Sequence, residues 1–178
     1  MEPVTLALVG TTVLTEGIKF LYAQAGEVIS RWRQRRDEPV PVPADAPLEG
    51  TLKPVTVDPA AMERLEGEIV KLRRALTPYL DDVAPEPVDP DNPNLIEVTD
   101  GLRRSLEAVL RQRIRFKGEA GNPSGPLVEG EVNVDDVLGY VAGVRARSIE
   151  GGQVKGTAKA KRVGPGGTLT SVDADRIG

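Results

Sequence analysis

The residues able to do chemistry are few. The chain of 178 residues contains neither His nor Cys. That removes thiol nucleophiles, disulfides, Cys/His zinc sites and the side chain that serves most often as a general base near neutral pH. Gly164-Pro165-Gly166-Gly167-Thr168 is rich enough in Gly to suggest a phosphate-cradling loop. It lacks the Gly-Lys-Ser/Thr ending that meets phosphate and metal, and no helical pattern follows, so it reads as a turn. Asn133, Asp135 and Asp136 offer oxygen ligands without the Gly and distal Glu of a calcium loop, and read as a solvated strand face. Asp81-Asp82 and the pair Asp89/Asp91 lie in Pro-rich sequence, which does not hold a preorganised acid/base pair. The expectation is a protein that is not an enzyme, with no cofactor and no metal.

What organises the chain instead is a pattern recurring four times across residues 127–177. Its copies begin at Val128, Val141, Val154 and Leu169. The last three keep a 14-residue register: Val144/Ala158/Val172, Ala146/Ala160/Ala174 and Ile149/Val163/Ile177. Those nine residues are the candidate assembly residues, because a short repeat buries its apolar face only against its neighbours. Each copy alternates apolar and polar residues, the period of a strand, and Glu150-Gly151-Gly152 and Gly164 to Gly167 mark turns. Two arrangements fit: an antiparallel meander, or a short β-solenoid in which each copy is a rung. In every copy the last two frame positions are three apart (Val134/Val137, Ala146/Ile149, Ala160/Val163, Ala174/Ile177). A straight strand sends such side chains to opposite faces, so each copy must bend or bulge there to bury both.

The polar positions are ordered by copy. The first is acidic (Glu131, Asp135, Asp136), the second basic (Arg145, Arg147), the third basic (Lys159, Lys161, Arg162) and the fourth acidic (Asp173, Asp175). If successive copies stack, copies two and three repel. Head-to-tail addition of another molecule would then set Asp173 and Asp175 against the acidic first copy. That order reads either as a plain solvated face or as a limit on edge growth.

The first half of the chain reads as helical. Residues 4–36 form one long amphipathic helix with Leu14, Ile18, Leu21, Ala25, Val28 and Trp32 on one seam, weakened around Gly10-Thr11-Thr12. It ends in Arg31, Trp32, Arg33, Arg35 and Arg36. An apolar seam, a Trp and a basic end are the profile of a membrane-surface segment as well as of a core helix. Leu14, Ile18, Leu21, Val28, Trp32, Arg31, Arg33, Arg35 and Arg36 are therefore the candidate membrane-binding residues. The longest uncharged run, Pro3 to Thr15, is short of the roughly 20 apolar residues of a span, and no signal peptide is expected.

Residues 37–58 are Pro-rich and predict an extended, mobile linker. A second helix opens at Pro59 with Asp58 as N-cap, carries Met62, Leu65, Ile69, Leu72 and Leu76 inward, and stops near Thr77 before Pro78. A third runs roughly 95–112, with Leu95, Val98, Leu102, Leu106 and Val109 inward, Arg103, Arg104 and Arg111 outward, and a weak point at Gly101. Residues 114–118 predict a strand that pairs with the repeat, and 121–126 the boundary loop. The fold expected is α+β: helix 1–36, linker 37–58, the rest of a three-helix bundle in 59–120, and a β repeat unit in 121–178. A net charge of −4 and a pI near 5.1 argue against nucleic acid as partner.

This layout resembles that of prokaryotic and fungal cell-death effectors, which join an N-terminal helical bundle of the Bell or HeLo type to a C-terminal self-assembling β motif. The residues carrying the resemblance are Val4-Thr5-Leu6-Ala7-Leu8-Val9 after Met1-Glu2-Pro3, and the repeat of 127–177. It implies a self-associating effector, a homo-oligomer in the cytoplasm or peripheral to a membrane, with a membrane surface or a protein docked on the β repeat as partner. The repeat also resembles the stacked Val- and Gly-containing rungs of bactofilin scaffolds, which lack the long helical half seen here. That resemblance implies a polymerising structural protein.

Overall fold

A computed structural model describes Leu6 and residues 9–149 and 153–177, with the side chains of 128–131, 146–149, 153 and 175–177 outside the description. The chain is α+β. Helices α1 (Thr11–Arg33), α2 (Pro59–Leu76) and α3 (Pro93–Leu110) precede strands β1 (Gln112–Arg113), β2 (Gly125–Val137), β3 (Tyr140–Ile149), β4 (Gln153–Val163) and β5 (Thr168–Ile177).

The first helix begins later than its apolar run suggests. Gly10 is the N-cap in an extended conformation (φ −66°, ψ 158°), so α1 starts at Thr11 and ends at Arg33. Of the apolar start at 4–9, only Leu6 and Val9 are described, and both are buried. The cap of α2 is the one its sequence predicts: Asp58 Oδ1 accepts the Ala61 N–H at 3.0 Å, with Pro59 in the first turn. Helix α3 starts two residues earlier than expected, because Asn92 Oδ1 accepts from the N–H groups of Asn94 and Leu95 at 3.1 and 3.2 Å. It runs through Gly101 unbroken, where a methyl group would come within 3.3 Å of Leu72 Cδ1 on α2. The missing side chain thus lets the two helices approach.

These helices bury Leu14, Ile18, Leu21, Met62, Ile69, Leu76, Leu95, Leu102 and Leu106 completely or nearly so. Each is worth about 1.5–3 kcal/mol relative to exposure. Phe116 joins them, fully buried, its ring edge-on to Phe20 at 6.4 Å.

The Pro-rich stretch 37–58 is extended, but it is docked rather than a free linker. Val40, Leu48 and Leu52 are core residues, and Val40 bridges to Val55, Leu48 to Phe116 and Gly50 to Ser124. Gln24 Nε2 of α1 donates to the Pro41 carbonyl at 2.8 Å, and Gln112 holds both the N–H and the carbonyl of Lys53 at 2.8 Å. Aliphatic residues set between the prolines supply anchors that a composition reading overlooks.

Arg103 is a second correction. It is buried, not outward. Its guanidinium donates to Glu119 Oε1 at 2.6 Å and to Asp100, while Arg104 Nε holds the other Asp100 oxygen at 2.8 Å. Glu119 Oε2 accepts the Phe116 N–H at 2.7 Å. This cluster clamps the turn after β1 onto α3. The strand expected at 114–118 lies instead at β1, which pairs antiparallel with Gly125 and Pro126 of β2.

Beyond β1 the topology is parallel. Strand β2 pairs with β4, Leu127 facing Gln153, and β3 pairs with β5, Tyr140 facing Thr168. The antiparallel meander is therefore excluded for these strands, and so is stacking of successive 14-residue copies. The first copy pairs with the third and the second with the fourth, offset by 26 and 28 residues. The offset grows because the corner between β4 and β5 has four residues (164–167) where that between β2 and β3 has two (138–139). Hydrogen bonds from Gly164 N–H to the Val137 carbonyl (2.9 Å) and from Thr168 N–H to the Gly139 carbonyl (2.8 Å) lay one corner on the other.

Candidate functional site

The described part of the chain presents two surfaces worth testing as sites: the basic end of α1 and the edges of the β unit. Among the described residues no cluster of three His, Cys, Asp or Glu gathers to hold a metal ion, and no helix is long and apolar enough to cross a membrane.

On α1 the structure separates the expected membrane-binding residues. Leu14, Ile18, Leu21 and Val28 lie in the core, so in this fold they have no access to a lipid surface. Trp32 is partly buried, its indole N–H donating to Glu66 Oε2 at 3.2 Å, and Arg33 Nε holds Glu66 Oε1 at 3.0 Å. Arg31 pairs with Glu27 one turn earlier. Arg35 and Arg36 are exposed and, with Arg31, Arg33, Asp37 and Glu66, border an open cleft of about 580 Å³. The basic end is thus partly neutralised by its own neighbours.

The β unit pairs six of its expected residues with one another and sets the other three, from the third copy, beside the first copy instead. Val144 faces Val172, Ala146 faces Ala174 and Ile149 faces Ile177; Ala158 and Ala160 face Val132 and Val134, and Val163 faces Val137. Val144 and Val137 are buried, and Ala158, Ala160, Val172 and Ala174 half-buried. The side chains of Ala146, Ile149 and Ile177 lie outside the described residues. The parity break falls where the three-residue spacing requires it. Val134 is half-buried and Val137 buried, while the successive residues Asp135 and Asp136 are both exposed.

Two glycines that residue chemistry alone passes over fix how closely the layers meet. A methyl group at Gly156 would sit 1.8 Å from the Ser171 carbonyl oxygen, and one at Gly143 would sit 2.8 Å from that oxygen and 2.9 Å from the Thr157 carbonyl. The signal in the sequence was the Gly recurring early in each of the first three copies.

The exposed charges follow the pairing. Lys161 Nζ lies 2.7 Å from Asp135, Arg162 Nε 3.6 Å from Asp136, and Arg145 Nε 3.6 Å from Asp173. Tyr140 donates its hydroxyl to Asp173, with the Arg145 guanidinium 5.4 Å from its ring centre. The expected repulsion between the two basic copies does not arise, because each basic strand pairs with an acidic one.

Both ends of this small stack are open. The strand orders are β1-β2-β4 and β3-β5, so among the described residues β4 and β5 have no further partner on one side. On the other side β3 has none among the described residues, and β2 is covered at Gly125 and Pro126 by β1 and at Leu127 by the Arg111 carbonyl. Large apolar side chains are exposed beside these edges: Leu138 (80%), Tyr140 and Val163, the last 48% exposed although its in-register partner Val137 is buried. Unpaired N–H and C=O groups flanked by apolar side chains form a template for another strand. Comparison with protein-family models, with curated proteins and with solved structures finds no match for this chain.

Proposed function

We propose that the chain is a non-enzymatic self-associating interaction protein whose β unit acts as a two-rung β-solenoid and whose helical bundle is the part displayed. One rung is β2 with β3, the other β4 with β5. The observation that carries this reading is the in-register parallel pairing of alternate strands, with the outer edges of both rungs, apart from the start of β2, unpaired among the described residues. A lone pair of rungs leaves half its backbone edge and residues such as Val163 in water, and another copy would cover them. The absence of His and Cys favours an interaction role over catalysis. The test is the mass of the full chain by light scattering across a concentration series. Mass rising steadily with concentration supports the reading, and a monomer throughout refutes it.

Two settings for such a protein are proposals of unequal support. In a membrane-acting effector of a defence or cell-death system, α1 would have to leave the bundle before its seam met lipid. In a scaffold it would not. The burial of Leu14, Ile18, Leu21 and Val28 favours the scaffold. Leakage from anionic vesicles on addition of assembled protein, but not of monomer, would restore the effector reading.

A further inference from the structure

We infer that the partner of each open edge is another copy of this chain in one polarity: the β4/β5 rung of one molecule docks on the β2/β3 rung of the next, in the register already used inside the molecule. This inference rests on the self-association proposed above and specifies its geometry.

The argument is the order of charge along the stack. In the first sheet the acidic strand β2 (Asp135, Asp136) lies beside the basic strand β4 (Lys159, Lys161, Arg162). In the second the order is reversed, with Arg145 on β3 beside Asp173 on β5. One open end of the unit is therefore basic on one sheet and acidic on the other, and the opposite end is acidic and basic on the same two sheets. Head-to-tail docking continues the alternation in both sheets at once. Lys161 would face Asp135 of the next copy, Arg162 its Asp136 and Asp173 its Arg145, repeating the pairs that already lie at 2.7 and 3.6 Å within one molecule. The same register brings the next copy's Val137 and Leu138 over Val163 and Gly164. Docking two like ends with like sheets facing sets Lys159, Lys161 and Arg162 against themselves, or Asp135 and Asp136 against themselves, which like charges on facing strands disfavour. Docking them with the sheets exchanged would pair β4 with β5 or β2 with β3, a pairing that neither sheet of the molecule contains. Strand β1 pairs with Gly125 and Pro126, and the Arg111 carbonyl takes the Leu127 N–H at 3.0 Å, so the length of β2 open to this register runs from Val128 onward and includes every charged position the docking uses. The expectation from stacking successive copies, that Asp173 of one molecule meets the acidic first copy of another, is thus reversed: it meets the basic second.

The test exchanges the charges on one sheet. In the variant D135K/D136R/K161D/R162D the ion pairs of Lys161 with Asp135 and of Arg162 with Asp136 are kept with their sign inverted. The variant assembles alone as the wild type does, but labelled variant enters wild-type assemblies at about one tenth of the wild-type level or less, since each mixed contact sets like charges together. Free mixing of the two overturns the proposed polarity while leaving self-association standing. Failure of the wild type itself to assemble overturns both. A second measurement does not depend on that variant folding. Since the chain has no Cys, Asn133→Cys and Lys159→Cys single variants are oxidised alone and as a mixture. Covalent dimers confined to the mixture support head-to-tail docking, because these positions face one another in the register. Dimers formed by Lys159→Cys alone, or none in an assembling mixture, overturn it.

Discussion

Replacing Arg103 with Met tests the buried ionic cluster that joins α3 to the turn after β1. The guanidinium sits between Glu119 at 2.6 Å and Asp100, with all three side chains nearly or fully buried. Burial alone would lower the pKa of Arg103, but the attraction and hydrogen bonds of Glu119 and Asp100 raise it above its ordinary value. The charge is therefore held by its partners. Methionine fills similar space without charge. Asp100 would keep Arg104 at 2.8 Å, and Glu119 the Phe116 N–H at 2.7 Å and Arg115 at 4.0 Å, so the cluster is weakened rather than emptied. Removing one member of a buried ion pair costs about 3–5 kcal/mol, against about 0.2–1 kcal/mol for an exposed pair such as Arg33 with Glu66. The single Trp of the chain, Trp32, lies in the helical part, so urea unfolding followed by its fluorescence reports that part separately. Arg103→Met should lower its unfolding free energy by about 3 kcal/mol or more, with Arg33→Ala as the mild control. A loss under about 1 kcal/mol for Arg103→Met would show that the cluster does not hold the turn.

Three more outcomes follow from the same geometry. Gly156→Ala places a methyl group 1.8 Å from a backbone oxygen that cannot swing away. It should cost the β unit about 3 kcal/mol or more, the upper end for overpacking, and abolish assembly while leaving the Trp32 transition in place. Asp58→Ala removes the cap of α2 and should cost about 0.5–2 kcal/mol in the Trp32-monitored transition. Burial raises the pKa of Glu107, against the Ile114 N–H and the charges of Arg103, Arg113 and Arg115, which lower it. Because the folded state holds this proton more tightly, its contribution to stability is greatest below the unfolded value of about 4.3 and declines as pH rises from there through the raised folded value. Glu107→Gln, which can still accept from Ile114, should flatten that decline in urea midpoints measured across the range; an unchanged slope would remove Glu107 as its cause.

Much of the helical half was legible because its signals are local. Asp58-Pro59 caps a helix wherever it occurs before an apolar seam, and Pro78 stops one. The three-residue spacing from Val134 to Val137 required a parity break, and one is found. What escaped depends on residues far apart in the chain. Arg103 looks outward on its own helix and becomes interior only when Glu119 folds over it. The apolar seam of α1 serves a core or a lipid surface equally well by pattern, and only the packing of α2 and α3 against it decides. The 14-residue register misled because β3 and β4 share an inside–outside pattern while lying in opposite layers. The order of charges carried the information to correct this: two adjacent basic copies make little sense as neighbours in one sheet, and good sense when each faces an acidic strand.

The most direct test of the account is electron cryo-microscopy of assemblies formed by the full chain. Each copy contributes two strands to each sheet along the stacking axis, so a head-to-tail polymer should show an axial rise of about 9.4–9.8 Å per subunit, two strand spacings, with all subunits pointing the same way. Closed dimers, subunits of alternating polarity or a rise that two rungs cannot produce would contradict it.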